Sequence, residues 1–239
     1  DIKPLKELIG DIQQGWSPKC DLNRTPGDNE WAIIKTTTVQ PLSYQPEHCK
    51  PLPEELAPRP QIEIQEGDIL MTRKGPRPRT GVVCMVRGVR PHSMLCDTVY
   101  RFRANEKNVI PAYLEVALNI PSVVVEINSR KSGINESGIS LNQGKIKSLP
   151  IPVLQSLDAQ KSVVENTSSM MISITRIEEE LDRQIEQSNA LRQSILKKAF
   201  AGQLVPQDPL DEPASILLER IKNARERASE VKKRTAENA

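Results

Sequence analysis

Between Pro152 and Pro206 the chain has no proline, and between Gly144 and Gly202 it has no glycine. So long a stretch without either helix breaker commits any fold of this sequence to one very long helix. Within it Val163, Thr167, Met170, Ile174, Ile177, Leu181, Gln184, Ser188, Leu191 and Ile195 follow one another at alternating steps of four and three, with seven of the ten apolar. That is the spacing of a coiled-coil seam, and Phe200, beyond its last position, is a further candidate for partner contact. A helix over residues 158–201 would be roughly 65 Å long at 1.5 Å per residue, more than a small domain can cover. Gly202 suits its C-terminal cap, the stretch 205–213 (VPQDPLDEP) reads as a turn, and Asp211 can cap a second helix with Pro213 in its first turn. There Leu217, Ile221, Ala224, Ala228 and Val231 repeat the four-three step, which predicts a helical hairpin or a multi-helix coil.

The first 60 residues have the opposite character, with nine prolines that exclude long regular elements. Ala32 to Val39 reads as a strand running into a threonine-rich loop, and Gln61 to Gln65 alternates strictly as a strand does. After a turn at Gly67-Asp68, Ile69 to Thr72 and Gly81 to Val86 form a strand pair joined by a long basic loop. Thr98 to Arg103 alternates aromatic and arginine, which predicts a half-buried strand. Pro111 and Pro121 each suit a first helical turn, so two short helices are expected as far as Arg130. Residues 131–140 are a glycine-serine loop, and Ile146 to Val153 a short extended element leading into the long helix. The expected fold is therefore α+β: a mixed α/β domain over residues 1–153, then a helical coiled-coil region over 154–239.

Charge is informative only once the chain is divided there. The whole carries 33 basic and 31 acidic residues, a net of +2, and 27% charged residues leave no room for a membrane span. Up to residue 150 the balance is 20 against 17, so the basic excess lies in the first domain. Between Met71 and Arg103 it concentrates into Arg73, Lys74, Arg77, Arg79, Arg87, Arg90, Arg101 and Arg103 against the single acid Asp97. Such a cluster neutralises phosphates, and arginine can also reach guanine O6 and N7 with two hydrogen bonds. Arg73, Lys74, Arg77 and Arg79 sit between two strands among rigid prolines, whereas Arg87 and Arg90 read as ordinary surface residues. Two further polar loops suit groove contact: Lys35, Thr36 and Thr37, and Arg130, Lys131, Ser132 and Asn135. Each alone is better explained as turn chemistry, so they gain value only together.

The four cysteines lack regular spacing, the N-terminus has no apolar leader core, and neither His48-Cys49 nor His92 with Cys96 has zinc-ligand spacing. Reduced thiols in a cytoplasmic protein with no cofactor or metal are expected. The start at Asp1, without methionine, predicts a processed or excised segment. No phosphate-cradling glycine loop, no methyltransferase motif and no nuclease-like carboxylate set appears. A coiled-coil adaptor whose first domain binds protein is the alternative class. Steep loss of affinity with salt separates a DNA reader from it.

Leu149-Pro-Ile-Pro-Val-Leu154, followed by Gln160 and Val163-Val164, resembles the entry into the long helix of the specificity subunits of Type I restriction–modification systems. Leu191 to Val205, continuing through Pro206 to Ile221, is similar to that family's C-terminal segment. Trp31 to Val39, Glu66 to Met71 and Gly81 to Val83 resemble its target-recognition domain. The resemblance implies a non-catalytic subunit whose recognition domain reads one half of a bipartite site in double-stranded DNA. Long helices would hold two such domains apart and dock methyltransferase (modification) subunits, which carry S-adenosylmethionine, while a motor and nuclease (restriction) subunit joins for cleavage. With one recognition domain, the chain is expected to be a half-subunit or the C-terminal half of a larger one. As a free half-subunit it would form a homodimer through Met170, Ile174, Ile177, Leu181, Gln184, Leu191, Ile195 and Phe200.

Overall fold

The computed structural model describes residues 1–21, 24–206 and 212–237, with side chains described as far as 227. Its strands are short because prolines and turns interrupt them: β1 (Ile2–Pro4), β2 (Gln13–Gln14), β3 (Ala32–Ile34), β4 (Val39–Gln40), β5 (Ser43–Tyr44) and β6 (Cys49–Pro51). The basic loop is framed by β7 (Ile69–Thr72), β8 (Lys74–Gly75) and β9 (Val83–Met85). Next come β10 (Ser93–Met94), β11 (Val99–Phe102), the helices α1 (Pro111–Asn119) and α2 (Pro121–Ser129), and β12 (Ile139–Ser140). A one-turn helix α3 (Gln143–Lys147), β13 (Pro150–Pro152), α4 (Leu157–Phe200) and α5 (Ala214–Glu237) complete the order. The fold is mixed α and β with one very long helix, as the sequence predicts.

The central sheet has the order β2-β11-β7-β9, antiparallel throughout. Its alternating side chains feed two cores. Ile69, Met71, Val83, Tyr100 and Phe102 pack with the N-terminal turn, α1, α2 and the segment 139–153. Leu70, Cys84 and Val99 point the other way, into a core shared with the smaller sheet β10-β3-β6. A sheet covered on both faces has no solvent side, so β11 is buried at every position, Arg101 included. The half-buried strand expected for Thr98–Arg103 is corrected accordingly. Arg101 is accommodated because Asp68, fully buried, sits 3.4 Å away, and Gln13 and the Gln61 and Glu63 carbonyls accept its remaining hydrogens. Burial holds the Arg101 pKa below the ordinary arginine value.

Those carbonyls also correct the reading of Gln61–Gln65. Pro60 opens a 3₁₀ turn through Ile62, and only Glu63 makes an isolated bridge, to Met94. The alternating pattern there turns backbone acceptors toward Arg101 rather than building a strand. Ile146–Val153 is likewise part helix and part strand, because Asn142 caps α3 through a 2.8 Å bond from the Lys145 N–H. In α1 the buried Glu115 accepts from the Met85 N–H at 2.6 Å and pairs with Arg87, sealing the outer edge of the sheet at β9.

Contacts divide the chain into two compact units, residues 1–172 and 173–239. The first includes the opening turns of α4, where Val163 and Val164 pack on the core and Gln160 is fully buried. Gln160 Oε1 accepts from the Ile110 N–H at 2.9 Å and its Nε2 donates to the Leu154 carbonyl at 2.7 Å. In the second unit α4 ends in a Schellman turn: Gly202 has φ 67°, and the Gln203 N–H reaches the Lys198 carbonyl at 2.8 Å. Asp211 and most of the expected turn lie outside the described residues, as do the side chains of Ala228 and Val231. Among the described residues no helix is long and apolar enough to cross a membrane.

Candidate nucleic-acid interface

The loop between β7 and β9 is a compact scaffold rather than a free basic tether. Thr80 is buried with its hydroxyl donating to the Gly75 and Pro76 carbonyls at 3.3 and 3.1 Å, and Arg77–Arg79 form a 3₁₀ turn entered from Pro76. β8 then pairs with β12, Lys74 opposite Ser140 and Gly75 opposite Ile139, which fastens the basic loop to the 131–138 loop. Arg77 and Glu136 close the same junction. The Arg77 N–H donates to the Glu136 carbonyl at 2.9 Å, and Arg77 Nε donates to both carboxylate oxygens at 2.8 and 2.9 Å. Lys131 Nζ donates to the Arg77 carbonyl at 2.7 Å. Burial first, then the Arg77 charge, lowers the Lys131 pKa.

A second set of bonds brings in the threonine-rich loop. Thr36–Thr38 is a 3₁₀ turn in which buried Thr38 accepts from the Lys35 N–H at 3.1 Å and donates to the His48 carbonyl. Arg79 bridges to it: Nη2 donates to the Thr36 and Val39 carbonyls at 2.8 Å each, and Nη1 to Gln40 Oε1 at 2.9 Å. The three segments singled out in the sequence therefore meet in one network.

Within that network the candidate residues hold different positions. Lys74, Thr37, Ser132 and Asn135 are exposed, while Lys35 and Thr36 are half-buried. Arg73 lies with its guanidinium carbon 5.1 Å from the Tyr100 ring centroid and donates to the Asp97 carbonyl at 3.1 Å. Arg130 pairs with Glu126 one turn back, and Ser132 accepts from Lys145 Nζ, both at 2.6 Å. The raw basic excess overstates the field at this face. Arg77 is paired with Glu136, Arg87 with Glu115, and Arg101 and Arg103 with Asp68. Arg87 is exposed, as expected, and Arg90 half-buried, and both also hold the fold: Arg87 pairs with buried Glu115 and Arg90 binds the carbonyls of Gly27 and Glu30. Sequence reasoning missed Gln40, Glu136 and Lys145. Only Asn142, a recognisable helix cap, could have flagged Lys145 as belonging to an ordered turn. Among the described residues no group of His, Cys, Asp or Glu is placed to hold a metal ion.

Along α4 the seam residues Met170, Ile174, Ile177, Leu181, Leu191, Ile195 and Phe200 are all exposed, and Gln184 is exposed among them. Such an apolar stripe, interrupted by Gln184 and Ser188, is the kind of surface that packs against another helix.

No family model matches the chain. It is 37% identical over 147 residues to the Type I restriction enzyme EcoEI specificity subunit of Escherichia coli, a match covering 62% of this chain and 25% of that protein. It is 29% identical over 174 residues to the EcoKI specificity subunit of Escherichia coli strain K12, covering 68% of this chain and 37% of the relative. In fold it is similar to the HsdS subunit from Thermoanaerobacter tengcongensis, with a TM-score of 0.53 and 14% identity over 89% of this chain and 51% of that one. The chain thus spans about a quarter to a third of these curated relatives and half of the solved subunit. In sequence the chain is thus similar to specificity subunits of Type I restriction enzymes, and in fold, with its mixed α/β head and long helix, to a solved HsdS subunit.

Proposed function

We propose that this chain is a non-catalytic reader of double-stranded DNA that selects the target of a Type I restriction–modification complex in the cytoplasm. Residues 1–153 recognise one half of a bipartite site, and residues 154–239 form the spacer that docks the methyltransferase subunits. Those subunits hold the S-adenosylmethionine chemistry, and a restriction subunit supplies the motor and nuclease. The observation that carries this reading is the joining of three polar, basic loops by Arg79, Arg77 and Lys131 into one face. Lys35, Lys74 and Lys131 would serve phosphates there, and Thr36, Thr37, Ser132 and Asn135 base edges.

Binding of a labelled duplex should weaken steeply between 50 and 200 mM salt, by about 10-fold or more if a few phosphates are neutralised. Flat salt dependence would refute DNA reading and favour a protein-binding head. Assembly with the modification subunit, followed by mapping of methylated adenines, should give one discrete site. The exposed seam of α4 supports a two-fold homodimer of this chain when no other helix covers it.

A further inference from the structure

Among the described residues Glu136 is the carboxylate ion-paired with the basic 73–80 loop, and its geometry sets a task for it. Arg77 spends only Nε on Glu136, so both of its Nη groups keep their hydrogens for another acceptor, and the two side chains are 43% and 73% exposed. Their relative placement is fixed from below. Arg77 lies between Pro76 and Pro78, its N–H is bonded to the Glu136 carbonyl, its carbonyl to Lys131, and β8 to β12 beside it. The pair therefore presents two donors next to an acceptor, with net charge near zero.

A neutral pair is a poor phosphate clamp, because the carboxylate repels what the guanidinium attracts. The same order of groups suits a different surface. The major-groove edge of a G·C pair offers the acceptors N7 and O6 of guanine followed by the N4 amino donor of cytosine. We propose that Arg77 and Glu136 act as a unit that reads one G·C base pair, Arg77 Nη1 and Nη2 on guanine and Glu136 on the cytosine amino group. This rests on the DNA-reading function proposed above and adds a specificity-determining residue to it.

The chain is incubated with a randomised duplex library, and bound sequences are compared for the wild type, Arg77→Ala and Glu136→Ala. Both variants should relax the same single position from G·C toward all four pairs. Discrimination there should fall by about 10- to 100-fold while the other positions keep their preferences. The slope of log affinity against log salt should change little. As a second readout, 7-deazaguanine at that position removes N7; it should weaken the wild type and leave Arg77→Ala unaffected. Helical circular dichroism should be unchanged, since both side chains are exposed. If Glu136→Ala raises affinity on every sequence and steepens the salt slope, the carboxylate is only a counter-ion and the inference fails while DNA reading stands. If the wild type enriches no sequence at all, the proposed function itself fails, and the base-pair reading with it.

Discussion

Gln160 shows how much one buried amide can carry. Its side chain satisfies the Ile110 N–H at the start of α1 and the Leu154 carbonyl ahead of α4, so one residue ties the long helix to the head. Gln160→Ala takes the side-chain partner away from both of these part-buried backbone groups. The expected loss is about 1–3 kcal/mol, read as a lower urea midpoint at unchanged slope. Asp68→Asn should cost more, about 3–5 kcal/mol by the same measurement, because it strands the buried Arg101 guanidinium. The cysteines give a test at neutral to mildly alkaline pH. Burial, with Glu115 nearby, pushes the Cys84 thiol up to about 12, so it stays protonated and inert while the fold is intact. Cys49 and Cys96 are buried as well and only Cys20 is partly exposed. Iodoacetamide at pH 8 followed by mass spectrometry should label Cys20 first, and early labelling of Cys84 would contradict the packing of the second core.

At the scale of elements, legibility followed how local the determinant is. The long helix, α1 and α2 fall where the unbroken periodicity and the prolines at 111 and 121 put them, since these signals act within a few residues. The segment Gln61–Gln65 and the strand Thr98–Arg103 misread for one shared reason. A buried arginine is invisible as such in sequence, yet it bends the first segment into a turn and lets the second be covered on both faces. The candidate interface was half legible in the same sense. Polarity and charge marked its three loops, but their union depends on contacts across some forty to sixty residues, Arg79 to Thr36 and Arg77 to Glu136. Those bonds make Arg79 a brace between the loops. Arg79→Ala should raise amide exchange through Thr36–Gln40 and weaken DNA binding several-fold, with the salt slope nearly preserved; a slope reduced by about one unit would make Arg79 a direct phosphate contact.

At the scale of the whole molecule, the division first seen in charge reappears as one between a satisfied head and an unsatisfied helix. The head buries its apolar residues in two cores, whereas the seam of α4 leaves Ile177, Leu181 and their neighbours uncovered. Leu181→Asp should therefore shift sedimentation toward the monomer while the head still melts cooperatively; a wild type already monomeric at micromolar concentration would remove the self-association proposal. The head has one more property of consequence. β1 pairs with β13, Ile2 opposite Pro152, and the Val153 N–H donates to the Asp1 carbonyl at 2.7 Å. The first and last strands of the head are thus hydrogen-bonded neighbours, so the loops strung between them can vary in length and composition without moving either strand.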